Sequence, residues 1–340
     1  MGVDKRNILM QKLDHERVIY WTACACITFC TLYTIYWLRN QFFIARRGKY
    51  VLITGCDTGF GNKLARALDK QECHVFAMCF TEDGMQKLNA DTSERLHCIQ
   101  LDVRKHDSVL KAYDEVKRIL PAHKGLWGLV NNAGITGLVG MYDWWTKEEL
   151  QNVFDVHLLG AIDVTNTFLP LVKKAKGRVV NMCSSLGINP IPSGGYGIAK
   201  LGLMVFSDGL RITLKKHGVS IHIIEPGYFR TFVADAKRNI LPSMKKAWDR
   251  LSTEEKDAYG PDYVEEYSNK VEDAMKLLCS PRLHYVTDDI QHALFARWPY
   301  NRYAPGIDAK LVWQPLQYFP SFITDKLFET FNPIPKCAKE

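Results

Sequence analysis

The hydrophobic pattern changes character twice along the chain. From Val18 to Leu38 there are 21 residues without a charge, 17 of them apolar or aromatic and four of them threonine. A helix of about 20 such residues spans a bilayer core. Arg17 and Arg39 bracket the run, and Tyr20, Trp21, Tyr36 and Trp37 lie near its ends, where an aromatic belt would sit. A cleaved signal peptide has an apolar stretch of about 7–15 residues followed by small residues. This run is longer and continues into Trp37-Leu38-Arg39. The pattern predicts an uncleaved transmembrane anchor over 18–38 behind an N-terminal tail, 1–17. Lys5, Arg6, Lys12 and Arg17 on one side are matched by Arg39, Arg46, Arg47 and Lys49 on the other, so positive charge does not set an orientation.

From Tyr50 short apolar runs alternate with longer stretches of helical period. Strands are predicted at 50–54, 74–79, 96–101, 126–130, 178–182 and 219–224. Helical spacing recurs between them, most clearly over 146–172 and 196–216. Strands alternating with helices imply parallel βαβ units, and near-continuous apolar strands imply a sheet covered on both faces. The fold class is therefore α/β, a doubly wound parallel sheet in one domain. After Pro226-Gly227 the alternation stops, and 232–340 reads as an irregular and helical extension of the same domain.

Composition narrows the class. With 47% hydrophobic and 24% charged residues, the 340-residue chain is neither disordered nor collagen-like. A net charge of +7 without a long Lys/Arg block gives no nucleic-acid arm and suits a membrane-facing surface better. Ten scattered cysteines, with no C-x-x-C pair and no H-E-x-x-H helix, make neither a disulfide scaffold nor a zinc motif, so no metal is expected.

Thr54-Gly55-Cys56-Asp57-Thr58-Gly59-Phe60-Gly61 follows the first strand directly. Glycines at a strand-to-helix turn allow the backbone to approach a pyrophosphate at the helix N-terminus. The spacing is G-x-x-x-G-x-G, and no Gly-Lys-Ser/Thr follows, so it is not a P-loop. At the end of the second strand an acid favours NAD and an Arg favours NADP. Here Cys79 stands where the acid usually does, Glu82 and Asp83 follow, and no Lys or Arg occurs from 72 to 86. NAD is expected, with NADP the alternative. Asp102 and Asn131-Asn132-Ala133-Gly134 also fall at strand ends, where open α/β sheets bind ligands.

Tyr196 and Lys200 are spaced i, i+4 at the start of a predicted helix, so they share one face. A free tyrosine, with a pKa of about 10, is a poor base at neutral pH. A nearby ammonium and an oxidised nicotinamide both favour its phenolate, which can then take a proton from an alcohol. Ser184, just past the fifth strand, can hold the same substrate oxygen; Ser185 is the neighbouring alternative.

The set TGCDTGFG, LDV, NNAG, Ser184, YGIAK and Pro226-Gly-Tyr-Phe-Arg-Thr231 resembles a short-chain dehydrogenase/reductase over about 48–231. FLPLVKKAKGRVVN, FSDGLR, IEPGYFRT and YAPGIDAKL resemble, more narrowly, the microsomal retinol and 3α/17β-hydroxysteroid dehydrogenases. The resemblance implies a Rossmann-type domain and catalysis by Ser184, Tyr196 and Lys200. It implies a cofactor cleft built from Thr54, Gly55, Thr58, Gly59, Phe60, Gly61, Asp102, Asn131, Ala133, Gly134, Pro226, Gly227 and Thr231, together with Tyr196 and Lys200. Asp102 would lie near the adenine and Thr231 near the carboxamide. A homodimer through 146–172 and 196–216 is implied in the same way. The chain departs from the pattern at His157, where the family carries an Asn that holds a water between the Lys and solvent.

A lipid-like alcohol needs a mostly apolar pocket. Besides Ser184, the expected lining is Leu138, Trp144 and Phe229, with Met141, Trp145 and Phe232 as further candidates. The run 311–323, interrupted by Pro315 and Pro320, is expected either on a membrane, or docked on the domain, or at a dimer contact. The resulting expectation is a membrane-anchored, NAD-dependent oxidoreductase for retinol or a hydroxysteroid and the matching carbonyl. It would sit in the endoplasmic reticulum, or alternatively a mitochondrial membrane. A 3-hydroxybutyrate-type dehydrogenase and a weakly catalytic NAD-binding protein are the alternatives.

Overall fold

A computed structural model describes residues 5–137, 139–189, 194–330 and 332–338, with side chains from residue 15 onward. Leu138 lies outside the described residues. The chain divides into two compact units, one of residues 1–45 with 295–299 and one of 46–294 with 300–340.

The first unit is dominated by one helix, Lys5–Arg39. Its stretch His15–Arg39 is 25 residues long and apolar enough to cross a membrane. Apolar side chains face outward all round it, among them Ile19, Trp21, Ile27, Phe29 and Leu32. A helix apolar on every side has no polar face to present to water. Its C-terminal Arg39 guanidinium donates to the carbonyls of Trp298 (2.9 Å) and Pro299 (3.0 Å).

The second unit holds a seven-stranded sheet in the order β3-β2-β1-β4-β5-β6-β7, every neighbouring pair parallel. The strands are β1 (Tyr50–Thr54), β2 (His74–Cys79), β3 (Leu96–Gln100), β4 (Gly128–Asn131), β5 (Arg178–Met182), β6 (Ser220–Ile224) and β7 (Arg302–Tyr303). β1, β4 and β5 are buried throughout, as their apolar runs require in a sheet covered on both faces. One side of the core joins Leu52, Phe76, Leu129 and Val179 of the sheet to Val116, Val164 and Phe168 of the covering helices. The direction in which successive strands are added reverses between β1 and β4. Ligands in open α/β folds bind at that switch point, beyond the carboxyl ends of the strands.

Two features depart from the sequence reading. β7 forms from only two residues, too short to show a period, and pairs with Ile223 and Ile224. The helical stretch 146–172 is not continuous either. Lys147–Phe154 passes into a π-turn at Asp155–Leu159 before Gly160–Ala175 resumes. Single π-turns inside helices often mark functional positions, and this one carries His157.

Candidate active site

The glycine turn is fixed by contacts that only its sequence permits. Gly55 has φ +71, and a Cβ there would meet Ala133 Cα at 2.8 Å. A Cβ on Gly61 would lie 2.3 Å from Gly55 O. Thr54, at the end of β1, is buried and does not face the cleft. Its Oγ1 accepts from the backbone N–H groups of Asn132 and Ala133, both at 2.9 Å, and so locks β1 to the end of β4. Asn132 Nδ2 donates to the carbonyls of Thr54 (2.9 Å) and Gly55 (3.0 Å). Within the Asn131-Asn132-Ala133-Gly134 segment, Asn132 thus braces the glycine turn and also lines the cavity. Asn131 is instead buried under the cleft, its Nδ2 bonded to Thr165 Oγ1 (2.8 Å) and Asn181 Oδ1 (2.7 Å).

A cavity of about 650 Å³ extends from this turn. Gly55, Thr58, Gly59, Phe60, Ala133 and Gly134 line it, as do Pro226, Gly227, Phe229 and Thr231. Ser184, Tyr196 and Lys200 line the same cavity. The Gly59–Lys70 helix opens into it with no side-chain cap on its first turn and no acid there. Unbonded N–H groups at a helix N-terminus suit an anion. A Cβ built on Gly59 finds nothing closer than 3.9 Å, so the approach to these donors is open. The residues present therefore fit a dinucleotide.

Asp102 stands apart from that cavity. Its carboxylate takes two bonds from the Arg104 guanidinium, Nε at 2.8 Å and Nη2 at 2.9 Å, which hold its pKa below the ordinary carboxylate value. It lines a second cleft that shares Phe80 with the first.

At the chemical end, Tyr196 and Lys200 project from one face of the Gly195–Leu214 helix. Lys200 Nζ lies 5.5 Å from the Tyr196 ring centroid and donates to the Met182 carbonyl at 2.5 Å. Burial lowers the Lys200 pKa to about 8. Burial pushes the Tyr196 phenol up to about 12, against the opposing effect of a bond with Ser184. Ser184 caps the short 3-10 turn 185–187, its Oγ accepting from Leu186 N at 3.2 Å. Ser185 does not line the cavity, and its buried hydroxyl has no partner among the described residues. The tertiary arrangement thus brings Ser184, and not Ser185, to the tyrosine.

His157 stands behind Tyr196. Its ring meets the tyrosine ring edge-on at 4.9 Å and 83°. Its Nε2 is within reach of the Ile135 carbonyl (2.8 Å) and N–H (3.1 Å), while Nδ1 is buried without a partner among the described residues. Burial, reinforced by the Lys200 charge, holds its pKa well below the ordinary value. The imidazole is therefore neutral at physiological pH.

The remaining lining is largely apolar: Val139, Phe232, Val271, Met275, Leu278 and Trp313. Phe229 packs edge-on against Phe60 at 5.8 Å. Trp144 does not join them. It is 2% exposed in an aromatic cluster with Trp248, Tyr259, Tyr263 and Tyr267. Met141 and Trp145 pack against that cluster as well. Trp313, in the run 311–323, is docked on the domain and reaches the cavity because Asp308 holds it. Asp308 Oδ2 accepts from Trp313 Nε1 (3.1 Å) and from Tyr228 N (2.8 Å).

A Rossmann-type sheet whose switch point opens on a glycine turn and a Ser–Tyr–Lys group defines a class of nicotinamide-dependent oxidoreductase acting on CH–OH groups. The short chain dehydrogenase model matches residues 49–240, and the chain belongs to that family. It is 45% identical to human retinol dehydrogenase 16 over 307 residues, 90% of this chain and 96% of that one. It is 45% identical to bovine short-chain dehydrogenase/reductase family 9C member 7 over 88% of this chain and 95% of that one. It is 41% identical to human 17-beta-hydroxysteroid dehydrogenase type 6 over 90% and 96%. Among solved structures, a short-chain dehydrogenase from Streptomyces avermitilis superposes with a TM-score of 0.64 at 27% identity, covering 83% of this chain and 95% of that one. A Burkholderia cenocepacia short chain dehydrogenase in complex with NADP shares the fold, at a TM-score of 0.62, with 18% identity and coverage of 84% and 99%.

Proposed function

We propose that this chain is a membrane-anchored, NAD-dependent dehydrogenase/reductase for a lipid-like alcohol, a retinol or a hydroxysteroid, and the matching carbonyl. The observation that carries the reading is one continuous cavity. It runs from an uncapped helix N-terminus and glycine turn to Ser184, Tyr196 and Lys200 and ends in apolar side chains. The names of the relatives, retinol and 17-beta-hydroxysteroid dehydrogenases, support the same substrate class.

The nicotinamide, when bound, accepts or supplies the hydride. Gly55, Thr58, Gly59, Phe60, Ala133, Gly134, Pro226, Gly227 and Thr231 would hold the cofactor, with Lys200 reaching its ribose. The Ser184 hydroxyl holds the substrate oxygen. Tyr196 takes the alcohol proton, or returns one to a carbonyl. Burial by itself favours the protonated Tyr196 phenol. Positive charge from Lys200 and from an oxidised nicotinamide acts in the opposite direction and favours the phenolate. NAD is the proposed cofactor, because no Lys or Arg occurs from 72 to 86.

A small hydroxy acid fits less well. Arg230 is exposed and does not line the cavity. Lys270 does line it, but is already shared between Glu266 (3.6 Å) and the Asn332 carbonyl (3.3 Å). The exposed stripe Ile198, Leu201, Val205 and Ile212 on the Gly195–Leu214 helix supports a homodimer through that helix. The apolar helix His15–Arg39 supports residence in a membrane, the endoplasmic reticulum by the resemblance to microsomal enzymes.

The test is NADH formation by membranes carrying the full chain. All-trans-retinol, a 3α-hydroxysteroid, a 17β-hydroxysteroid and 3-hydroxybutyrate are supplied, each with NAD and with NADP, beside Tyr196→Phe. Turnover of a lipid alcohol with NAD, lost in the variant while NAD still binds, is the expected result. Turnover retained in Tyr196→Phe removes the assignment.

A further inference from the structure

The sequence leaves a gap at the end of β2. An acid there commonly takes the adenosine ribose 2′-hydroxyl and excludes a 2′-phosphate. This chain has Cys79 at that place, and Cys79 is fully buried. A thiol enclosed in the core cannot meet a ribose.

The carboxylate arrives from elsewhere. Asp57, in the middle of the glycine turn, lines the cofactor cavity and lies across the tip of β2. Its Oδ2 accepts from Phe80 N at 2.9 Å. Its Oδ1 accepts from Thr81 N at 2.8 Å and from Thr81 Oγ1 at 2.7 Å. The space for it comes from Gly84, where a Cβ would stand 2.6 Å from Oδ1. An ionised carboxylate has about four lone-pair sites. Three are used in holding the group at the strand tip, and one is left for a hydroxyl. Of the cations near this region, Arg104 pairs with Asp102, and Arg66 with Asp91 at 3.0 Å, while Lys105 and Lys111 lie in the second cleft beyond Phe80.

We propose that Asp57 is the residue that selects NAD over NADP, a carboxylate supplied by the glycine turn at the strand tip that Cys79 leaves without an acid. It accepts the 2′-hydroxyl and repels a 2′-phosphate through like charge. The inference rests on the nicotinamide reading of the cavity and concerns only which dinucleotide that cavity takes.

Dissociation constants of NAD and NADP are measured by calorimetry on the full chain in detergent, for the wild type and for Asp57→Asn. The amide retains the shape and removes the charge. The ratio of the NADP to the NAD constant should fall by at least ~10-fold, the scale of losing one close like-charge contact. An unchanged ratio with NAD still bound overturns the proposal. Should Asp57→Asn bind neither dinucleotide, the wild type decides alone. NAD lacking the adenosine 2′-hydroxyl should bind at least several-fold more weakly than NAD, and equal binding overturns the proposal. Failure of the wild type to bind either dinucleotide would instead count against the dehydrogenase reading itself.

Discussion

The imidazole of His157 meets the phenol ring of Tyr196 edge-on, with centroids 4.9 Å apart and planes at 83°. The pair joins the π-turn at Asp155–Leu159 to the start of the Gly195–Leu214 helix. A neutral ring edge against the face of an aromatic ring is a favourable geometry. It also fixes how Tyr196 can turn. On the other side, a Cβ on Gly134 would lie 2.8 Å from His157 Cε1, so the imidazole fills its site.

Replacing His157 with Asn removes that edge contact and leaves space beside the tyrosine. kcat/KM for the preferred alcohol should fall several-fold, while the KM for NAD holds. Because the imidazole is neutral well above its lowered pKa, no ionisation of His157 should appear in the profile at physiological pH. The measurement is kcat/KM from pH 6 to 10 for both proteins. Identical curves would reduce His157 to ordinary packing.

The two serines should separate cleanly. Ser184→Ala removes a donor to the reacting oxygen and should cost about 10²–10³ in kcat, the usual scale for such a group. Ser185→Ala removes a buried hydroxyl that has no partner among the described residues. An unpartnered buried polar group is a net cost, so this variant should keep its activity and match or exceed the wild type in thermal midpoint. A larger activity loss in Ser185→Ala than in Ser184→Ala would reverse the assignment.

Acid should withdraw the stability that neutral His222 contributes, in a window where Asp289, raised to about 6 by burial, acts with the opposite sign. Burial lowers His222 to about 4, and it is bonded by the Tyr300 carbonyl and paired with Ser220 Oγ at 2.9 Å. Its folded pKa lies below the unfolded value of about 6.5, so the unfolded chain binds the extra proton first. That stability is complete above pH 6.5 and is lost as pH falls toward 4. His222 alone should cost about 2 kcal/mol between pH 6.5 and 5, and His157 acts with the same sign. Between pH 7.5, 6.5 and 5 the thermal midpoint of the wild type should lose more, or gain less, than that of His222→Gln, and equal pH dependence in the two would remove His222 from this role.

Glycines at two positions should respond in opposite ways. Gly55→Ala puts a side chain at φ +71 and against Ala133. Backbone strain of roughly 1–3 kcal/mol and loss of NAD binding are expected. Gly209, inside the Gly195–Leu214 helix, has nothing within 4 Å of a new Cβ. Gly209→Ala should stabilise by up to about 1 kcal/mol, the difference in helix propensity. Thermal midpoints and NAD titrations of both variants check this.

The apolar helix should hold the chain in the membrane. Alkaline extraction should leave the full chain with the membranes and release a chain lacking residues 1–39. Release of the full chain would leave His15–Arg39 without a spanning role.

By itself the sequence determined what is local. The six longer strands follow from runs of apolar residues, and the nucleotide turn from glycines placed directly after the first of them. Tyr196 and Lys200 follow from a four-residue spacing that puts them one helical turn apart. Each of these signals lies within one strand, turn or helix, where backbone geometry and periodicity act over a few residues. The tertiary structure decided what depends on distant parts of the chain meeting. Trp144 is drawn into an aromatic core, although it follows a strand end as a pocket residue would. Trp313 is brought into the cavity by Asp308. Asn131 is turned into a buried amide network, and Asn132 is turned toward Gly55. Asp57 is carried to the tip of β2 because β1 and β2 pair in register, Tyr50 with His74 through Thr54 with Met78. A carboxylate belonging to one strand's turn then serves the end of the next. No local pattern encodes that placement, because it depends on interstrand hydrogen bonds and on the space left at Gly84.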